Sequence, residues 1–233
     1  MGVALMRLGA SPKTKRGSDP AKTKAGLELV RDAERTRQMI LSAAEVEFAS
    51  KGLAGARVDV IADRSGANKR MLYYYFGSKE GLYLAVLERT YMAMRQAERE
   101  MNLTDLDPLS AIKKLVEFKF DYCQAHPLLV PLLSGENMLG AKYLRRSLKM
   151  RDMHAWLVEV VRKVLKAGEA DGAIRRGIDP VQLYVSITAE SYFYFSNAAT
   201  LSAAFGRPLS SEAEQRLRRQ HCVDVILAYV RAK

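Results

Sequence analysis

The side chains best equipped for chemistry stand together in Val58–Phe76, VDVIADRSGANKRMLYYYF. Lys69, Arg70, Tyr73, Tyr74 and Tyr75 follow closely on one another there. The two cations can donate to guanine O6 and N7 or to phosphate, and the tyrosines can pack on thymine methyls or donate to phosphate. Such a surface suits a polyanion better than a protein core. No comparable grouping exists for catalysis. His126, His154 and His221 are the only histidines, and none lies near a cysteine at metal-ligand spacing. Gly52–Gly55 is too short for a phosphate-binding loop and lacks its Lys-Ser/Thr. Asp121 with His126 is a lone pair with no positioned nucleophile. The chain reads as a binding protein, without enzymatic activity, metal or cofactor.

Two short helices broken by a glycine must position this surface. Val58, Ile61 and Ala62 fall on one face of the first, and Leu72 and Phe76, spaced i and i+4, on one face of the second. Gly66 can end the first helix in the left-handed conformation, and Asn68 can cap the second by accepting a free backbone N–H. That is the pattern of a helix-turn-helix, whose second helix lies in the DNA major groove. Ser78 can cap the helix that follows, which puts Lys79 in a first turn where the dipole disfavours a cation. A lysine there fits a phosphate contact beside free N–H groups, or else a plain solvent-exposed side chain.

The 233 residues suffice for a full core in one or two domains. No run approaches the length of a membrane span, and the start, MGVALMRLGASPKTK, is a weak secretion signal. Cys123 and Cys222 lie far apart in helical patterns and read as buried free thiols of a cytoplasmic protein. The net charge of +11 is spread along the chain. Residues 1–30 hold six basic against two acidic side chains, residues 31–81 nine against seven, and the remainder 22 against 17. A basic balance supports nucleic acid only alongside the motif.

Residues 1–30 are poor in large apolar side chains after Leu8 and read as a disordered basic arm, free to touch phosphates or simply solvated. A helical period begins near Arg35, with Ile40, Leu41, Ala44 and Phe48 as its stripe and Gly52 as its stop. A long helix starts at Lys79, and another starts after Asp107-Pro108 and stops at His126-Pro127. Pro127–Gly140 reads as irregular. Further helices follow over about Arg151–Gly168, Asp179–Phe205 and Ser211–Val230. No strand alternation appears, so the chain reads as all-α. A three-helix DNA-binding domain over 31–81 precedes a helical effector-binding and dimerisation domain over 82–233. The helix after Pro180 is apolar on nearly every face, which implies burial on every face. A homodimer through helices 180–205 and 211–230 achieves this; burial wholly within one chain is the alternative.

Phe48, Gly52, Ile61-Ala62, Gly66, Leu72-Tyr73, Phe76 and Lys79-Glu80-Gly81-Leu82 resemble the N-terminal domain of the TetR family of repressors, over about 50 residues from Arg35 to Val86. Two positions depart from the family pattern. Arg57 stands where a capping Thr is usual, and Gly66-Ala67-Asn68 replaces Gly-Val-Ser. The C-terminal half is similar, more loosely, to the pyrimidine-responsive subgroup. The resemblance implies a helical homodimer whose C-terminal domain binds a small molecule and whose head binds a near-palindromic operator. It also implies DNA contacts by Arg57, Asn68, Lys69, Arg70, Tyr73, Tyr74, Tyr75 and Lys79. Phe118, Tyr122, Asn137, Met138, His154, Trp156, Glu190 and Tyr192 lie on the segments where family pockets form. Glu190 equally fits a core or interface hydrogen bond, and His154 and Trp156 fit plain structural roles. A ligand-responsive repressor is the first reading. A ligand-independent architectural or cell-division DNA-binding protein of the same fold is the second.

Overall fold

The computed structural model describes residues 20–232, apart from the side chains of 20–30 and 148–154. Among the described residues the chain is all-α, with nine helices and one isolated bridge, Ile174 to Arg231. They are α1 (Pro20–Gly55), α2 (Val58–Ser65), α3 (Lys69–Phe76), α4 (Lys79–Glu100), α5 (Pro108–Ala125), α6 (Leu129–Met138), α7 (Leu148–Ala170), α8 (Pro180–Phe205) and α9 (Glu212–Val230). Most of the arm expected over residues 1–30 lies outside the described residues; from Pro20 the backbone is helical. α1 kinks at Gly52 (φ 63°, ψ 175°), where the sequence pattern placed its stop.

Local chemistry accounts for the helix ends. Asp107, Asp179 and Ser211 accept the backbone N–H three residues on and cap α5, α8 and α9. Proline occupies the first position of α5 and of α8, where its missing N–H costs nothing. Pro127–Gly140 departs from expectation, because it contains α6. Pro131 falls in the first turn of that helix, where no intrahelical N–H is needed, so it does not break the helix.

Two cores result. In the head, Ile40, Leu41, Phe48, Ile61 and Leu72 pack with Leu82, Tyr83, Val86 and Leu87 of α4. Phe48 meets Tyr83 edge-on at 5.1 Å, and Tyr83 meets Tyr143 at 5.4 Å. The helix that leaves the head is therefore part of its core. In the body, α5 is central, with Leu115, Val116 and Phe120 set among Val161, Leu183, Ile187, Cys222 and Ile226 of α7, α8 and α9. A smaller cluster of Met94, Cys123, Leu129 and Val130 joins α4, α5 and α6.

The α3–α4 junction fixes how the head meets the rest. Ser78 accepts the Gly81 N–H at 2.9 Å, and a side chain added at Gly81 would put Cβ only 2.1 Å from the Phe76 carbonyl oxygen. That obstacle is backbone and cannot swing aside. Gly81→Ala is expected to lower stability by about 1–3 kcal/mol through overpacking, measured by urea unfolding of the full chain. A loss below about 0.5 kcal/mol would show that the junction is not tight.

Candidate nucleic-acid interface and effector cavity

α3 holds the first site. Asn68 accepts the Met71 N–H at 3.0 Å and opens the helix, while Gly66 ends α2 at φ 67°, ψ 11°. Both act as their residue types suggested. Leu72 is buried and Phe76 half-buried, which turns the opposite face outward. On that face Lys69 and Arg70 are exposed, with Tyr73 at 50% and Tyr74 at 84%. A tyrosine so open has no packing reason to be there. Tyr75 is half-buried, with its ring edge-on to Tyr74 at 5.3 Å.

Asp59 organises the cations. It accepts Lys69 Nζ at 2.6 Å and lies 3.8 Å from Arg57, and the Lys69 hydrogen bond holds its carboxyl below the usual range. Arg70 makes no ion pair among the described residues. Arg57 gives α2 no side-chain cap. Instead the buried Glu47 accepts the Arg57 backbone N–H at 3.1 Å, so a carboxylate of α1 steadies the chain where a threonine is usual in the family the sequence resembles. Lys79 donates to the Ala54 carbonyl at 3.2 Å and so answers an unpaired carbonyl at the end of α1. In this state it ties α4 to α1.

The second site is a partly enclosed cavity of about 210 Å³ between α4, α5, α6 and α8. Met94, Leu129 and Leu133 give it apolar walls, and Tyr91, Tyr122 and Tyr192 give it aromatic ones. Arg95, Lys119 and Tyr184 form one end. Arg95 donates to Glu98 and, at 2.8 Å, to the Tyr184 hydroxyl; Lys119 donates to the same Glu98 and, at 3.1 Å, to the same hydroxyl. All three charged residues are at least 97% buried. Burial would raise the Tyr184 phenol, but Lys119 and Arg95 outweigh it and lower the group below its ordinary value. Burial pushes Tyr91 up to about 12 and the Cys123 thiol up to about 11. A larger hollow of about 820 Å³ lies between α1 and α4, lined mostly by polar and charged side chains such as Arg37, Gln38, Glu88 and Arg89. It is a surface groove rather than a closed site.

Of the effector residues expected from sequence, Tyr122 and Tyr192 line the cavity. Phe118 packs against the cluster beside it. Asn137 and Met138 lie off it, with Met138 at 88% exposure on the last turn of α6. Trp156 is half-buried under the Arg99 guanidinium at 5.0 Å. Glu190 is ion-paired to Arg218 of α9. The His154 side chain lies outside the described residues. Sequence reasoning missed Arg95, Lys119, Tyr184, Thr188 and Ser191. A signal existed for Lys119, which falls on the apolar stripe of α5 at 115, 116, 119, 120 and 123. A cation there is buried and needs an answering group.

α4 and α6 join the head's core to the cavity. α4 gives Leu82–Leu87 to the head's core and Met94 and Arg95 to the cavity, while α6 gives Leu132 to the head's core and Leu129 and Leu133 to the cavity. No cluster of His, Cys, Asp and Glu among the described residues has the arrangement of a metal site.

Residues 40–86 match the family described as bacterial regulatory proteins, tetR family, and residues 108–226 match a tetracyclin repressor-like C-terminal domain. The chain is 40% identical over 171 residues to the HTH-type transcriptional repressor NicS of Pseudomonas putida, covering 73% of this chain and 81% of that one. It is 34% identical over 179 residues to the HTH-type transcriptional regulator RutR of Escherichia coli, covering 76% and 81%. A solved Streptomyces coelicolor chain described as a transcriptional regulator, SCO4942, superposes with a TM-score of 0.64 at 27% identity, covering 84% of this chain and 98% of that one.

Cys123 and Cys222 are buried free thiols, and burial pushes both up to about 11. A raised folded-state value keeps each thiol protonated where the unfolded chain already ionises. Stability is therefore expected to fall as pH rises from 9 towards 11. At pH 8 both thiols should resist iodoacetamide in the native protein and react once urea unfolds it. Rapid alkylation of the native chain, read by mass spectrometry, would contradict this.

Proposed function

The chain belongs to the TetR family of bacterial regulatory proteins, and on that premise we propose that it is a homodimeric repressor released from a palindromic operator by a small molecule. The observation that carries this reading is the shared helix: α4 builds the head's core at one end and a wall of the cavity at the other. A ligand that fits the cavity in one position of α4 better than in another shifts the population between them, and operator affinity follows. Arg70, Tyr73 and Tyr74 reach base edges and phosphates from the outer face of α3. Arg57, Asn68, Lys69, Tyr75 and Lys79 flank them, with Lys79 free to exchange its carbonyl partner for a phosphate. The protein works in the cytoplasm and catalyses no reaction. No helix among the described residues is long and apolar enough to cross a membrane.

Dimerisation through α8 and α9 is supported by what one chain leaves open. Val181, Val185 and Phe193 of α8, with Leu217, Val225 and Tyr229 of α9, are all exposed. Leu217, Val225 and Tyr229 recur on one face of α9 at helical spacing. Apolar side chains gathered on two adjacent helices mark an interface, and an isologous dimer covers the same patch on both copies. Phe193→Glu with Leu217→Glu should convert the dimer to monomer in sedimentation velocity. A double variant that remains dimeric would move the interface elsewhere.

The operator, selected from random DNA with purified protein, provides the direct test of the head. Arg70→Ala and Tyr74→Ala should each weaken operator binding, and Arg70→Ala alone should lower the salt slope by about one phosphate contact, because the tyrosine is neutral. Both side chains are exposed, so stability should change by no more than about 0.5 kcal/mol. Unchanged operator affinity and salt slope in the double variant would overturn the docking.

A further inference from the structure

We infer that the effector is a small single-ring carboxylate whose anionic group binds between Arg95 and Lys119 at the polar end of the cavity. The inference rests on reading that cavity as the effector site. Charge is the first argument. The cavity wall carries two formal cations, Arg95 and Lys119, and no Asp or Glu. Their only carboxylate, Glu98, takes a hydrogen bond from each, and its own side chain is wholly buried behind them. One formal positive charge is left over among side chains that are almost wholly buried. An uncompensated buried charge is costly, and an anion entering the cavity removes that cost.

Unpaired hydrogen-bonding atoms are the second argument. Arg95 Nε, Thr188 Oγ1 and Ser191 Oγ are buried with no partner in the folded chain. Thr188 and Ser191 line the cavity one turn apart on α8, next to Tyr184. The Tyr184 hydroxyl oxygen already accepts from both cations, which leaves its own proton to donate. Guanidinium, ammonium and hydroxyl donors lining one cavity suit the two oxygens of a carboxylate. Tyr91, Tyr122 and Cys123 complete the titratable wall with Tyr192. Burial pushes Tyr91, Tyr122 and Cys123 up, so they bring no competing negative charge.

Size and surface set the rest of the molecule. A dry cavity of roughly 150 Å³ holds a benzene ring, so about 210 Å³ accommodates one ring and a carboxylate. Met94, Leu129 and Leu133 with the tyrosine faces give that ring an apolar and aromatic lining.

The test sets benzoate, phenylacetate and cyclohexanecarboxylate against their neutral amides, with the full-length protein and binding read by calorimetry and thermal shift. At least one carboxylate should bind, and about tenfold or more tightly than its amide. Lys119→Met leaves Arg95 and Glu98 as a neutral pair, so this variant should fold with undiminished thermal stability and lose the preference for the anion. Thr188→Val keeps the charge and should weaken the carboxylate while preserving its preference over the amide. Amides that bind as well as the acids, no carboxylate binding at about millimolar concentration, or a Lys119→Met variant that keeps the preference would each overturn the inference. Operator release is scored separately. Release by a neutral compound sinks the carboxylate and spares the regulator; carboxylate binding without release does the reverse.

Discussion

The organisation of the molecule depends on one unbroken helix belonging to two cores. α4 has 22 residues, so at the α-helical rise it is about 33 Å long. Ser78 caps its start, where Gly81 lies too close to the Phe76 carbonyl for any side chain. Leu82, Tyr83, Val86 and Leu87 then lock it among α1, α2 and α3. Two turns on, Met94, Arg95 and Glu98 are buried against the body. Such a helix transmits displacement rather than absorbing it, because bending it would break backbone hydrogen bonds for which neither core has substitutes. α6 runs alongside as a second tie, with Glu136 accepting the Tyr143 N–H at 2.7 Å and the Leu144 N–H at 3.0 Å.

The polar cluster at the far end of α4 is built differently from the rest of the body. Elsewhere charges pair at the surface, as Arg219 does with Asp121 and Glu117 at 2.7 and 3.0 Å. Around Glu98 two cations share one carboxylate at near-complete burial, and neighbouring hydroxyls lack partners. A core selected for stability alone would be better served by apolar side chains of the same volume. Sites where local rules are broken in this way are where function is expected.

The head was legible from sequence because its determinants are local. Gly66, Asn68, Ser78 and the i, i+4 pair Leu72 and Phe76 each act within a few residues, and the exposed cations and tyrosines of α3 announce a surface that packs against nothing. α6 was misread because Pro131 and Gly135 are breakers in isolation, and only position decides that Pro131 sits harmlessly in a first turn. The cavity was harder for a different reason. Four helices meet there, and no sequence spacing brings Arg95, Lys119 and Tyr184 to one hydroxyl oxygen. Polar side chains in apolar helices were the right signal, but Glu190 drew attention from its neighbours. It faces Arg218, whereas Tyr184, Thr188 and Ser191 share the other side of α8 and meet the cavity.

If α4 couples the two sites, the coupling is reciprocal, and each ligand lowers the affinity for the other by the same factor. The most direct measurement is a calorimetric titration of an operator-releasing compound into the dimer, first free and then saturated with operator. Typical coupling free energies correspond to a loss of affinity of about 5–150-fold. The account predicts that the operator weakens the compound by the factor found for DNA release, and that Lys119→Met abolishes both effects together. Equal affinity for the free and DNA-bound dimer would contradict it, because the cavity and the head would then be independent sites on one chain.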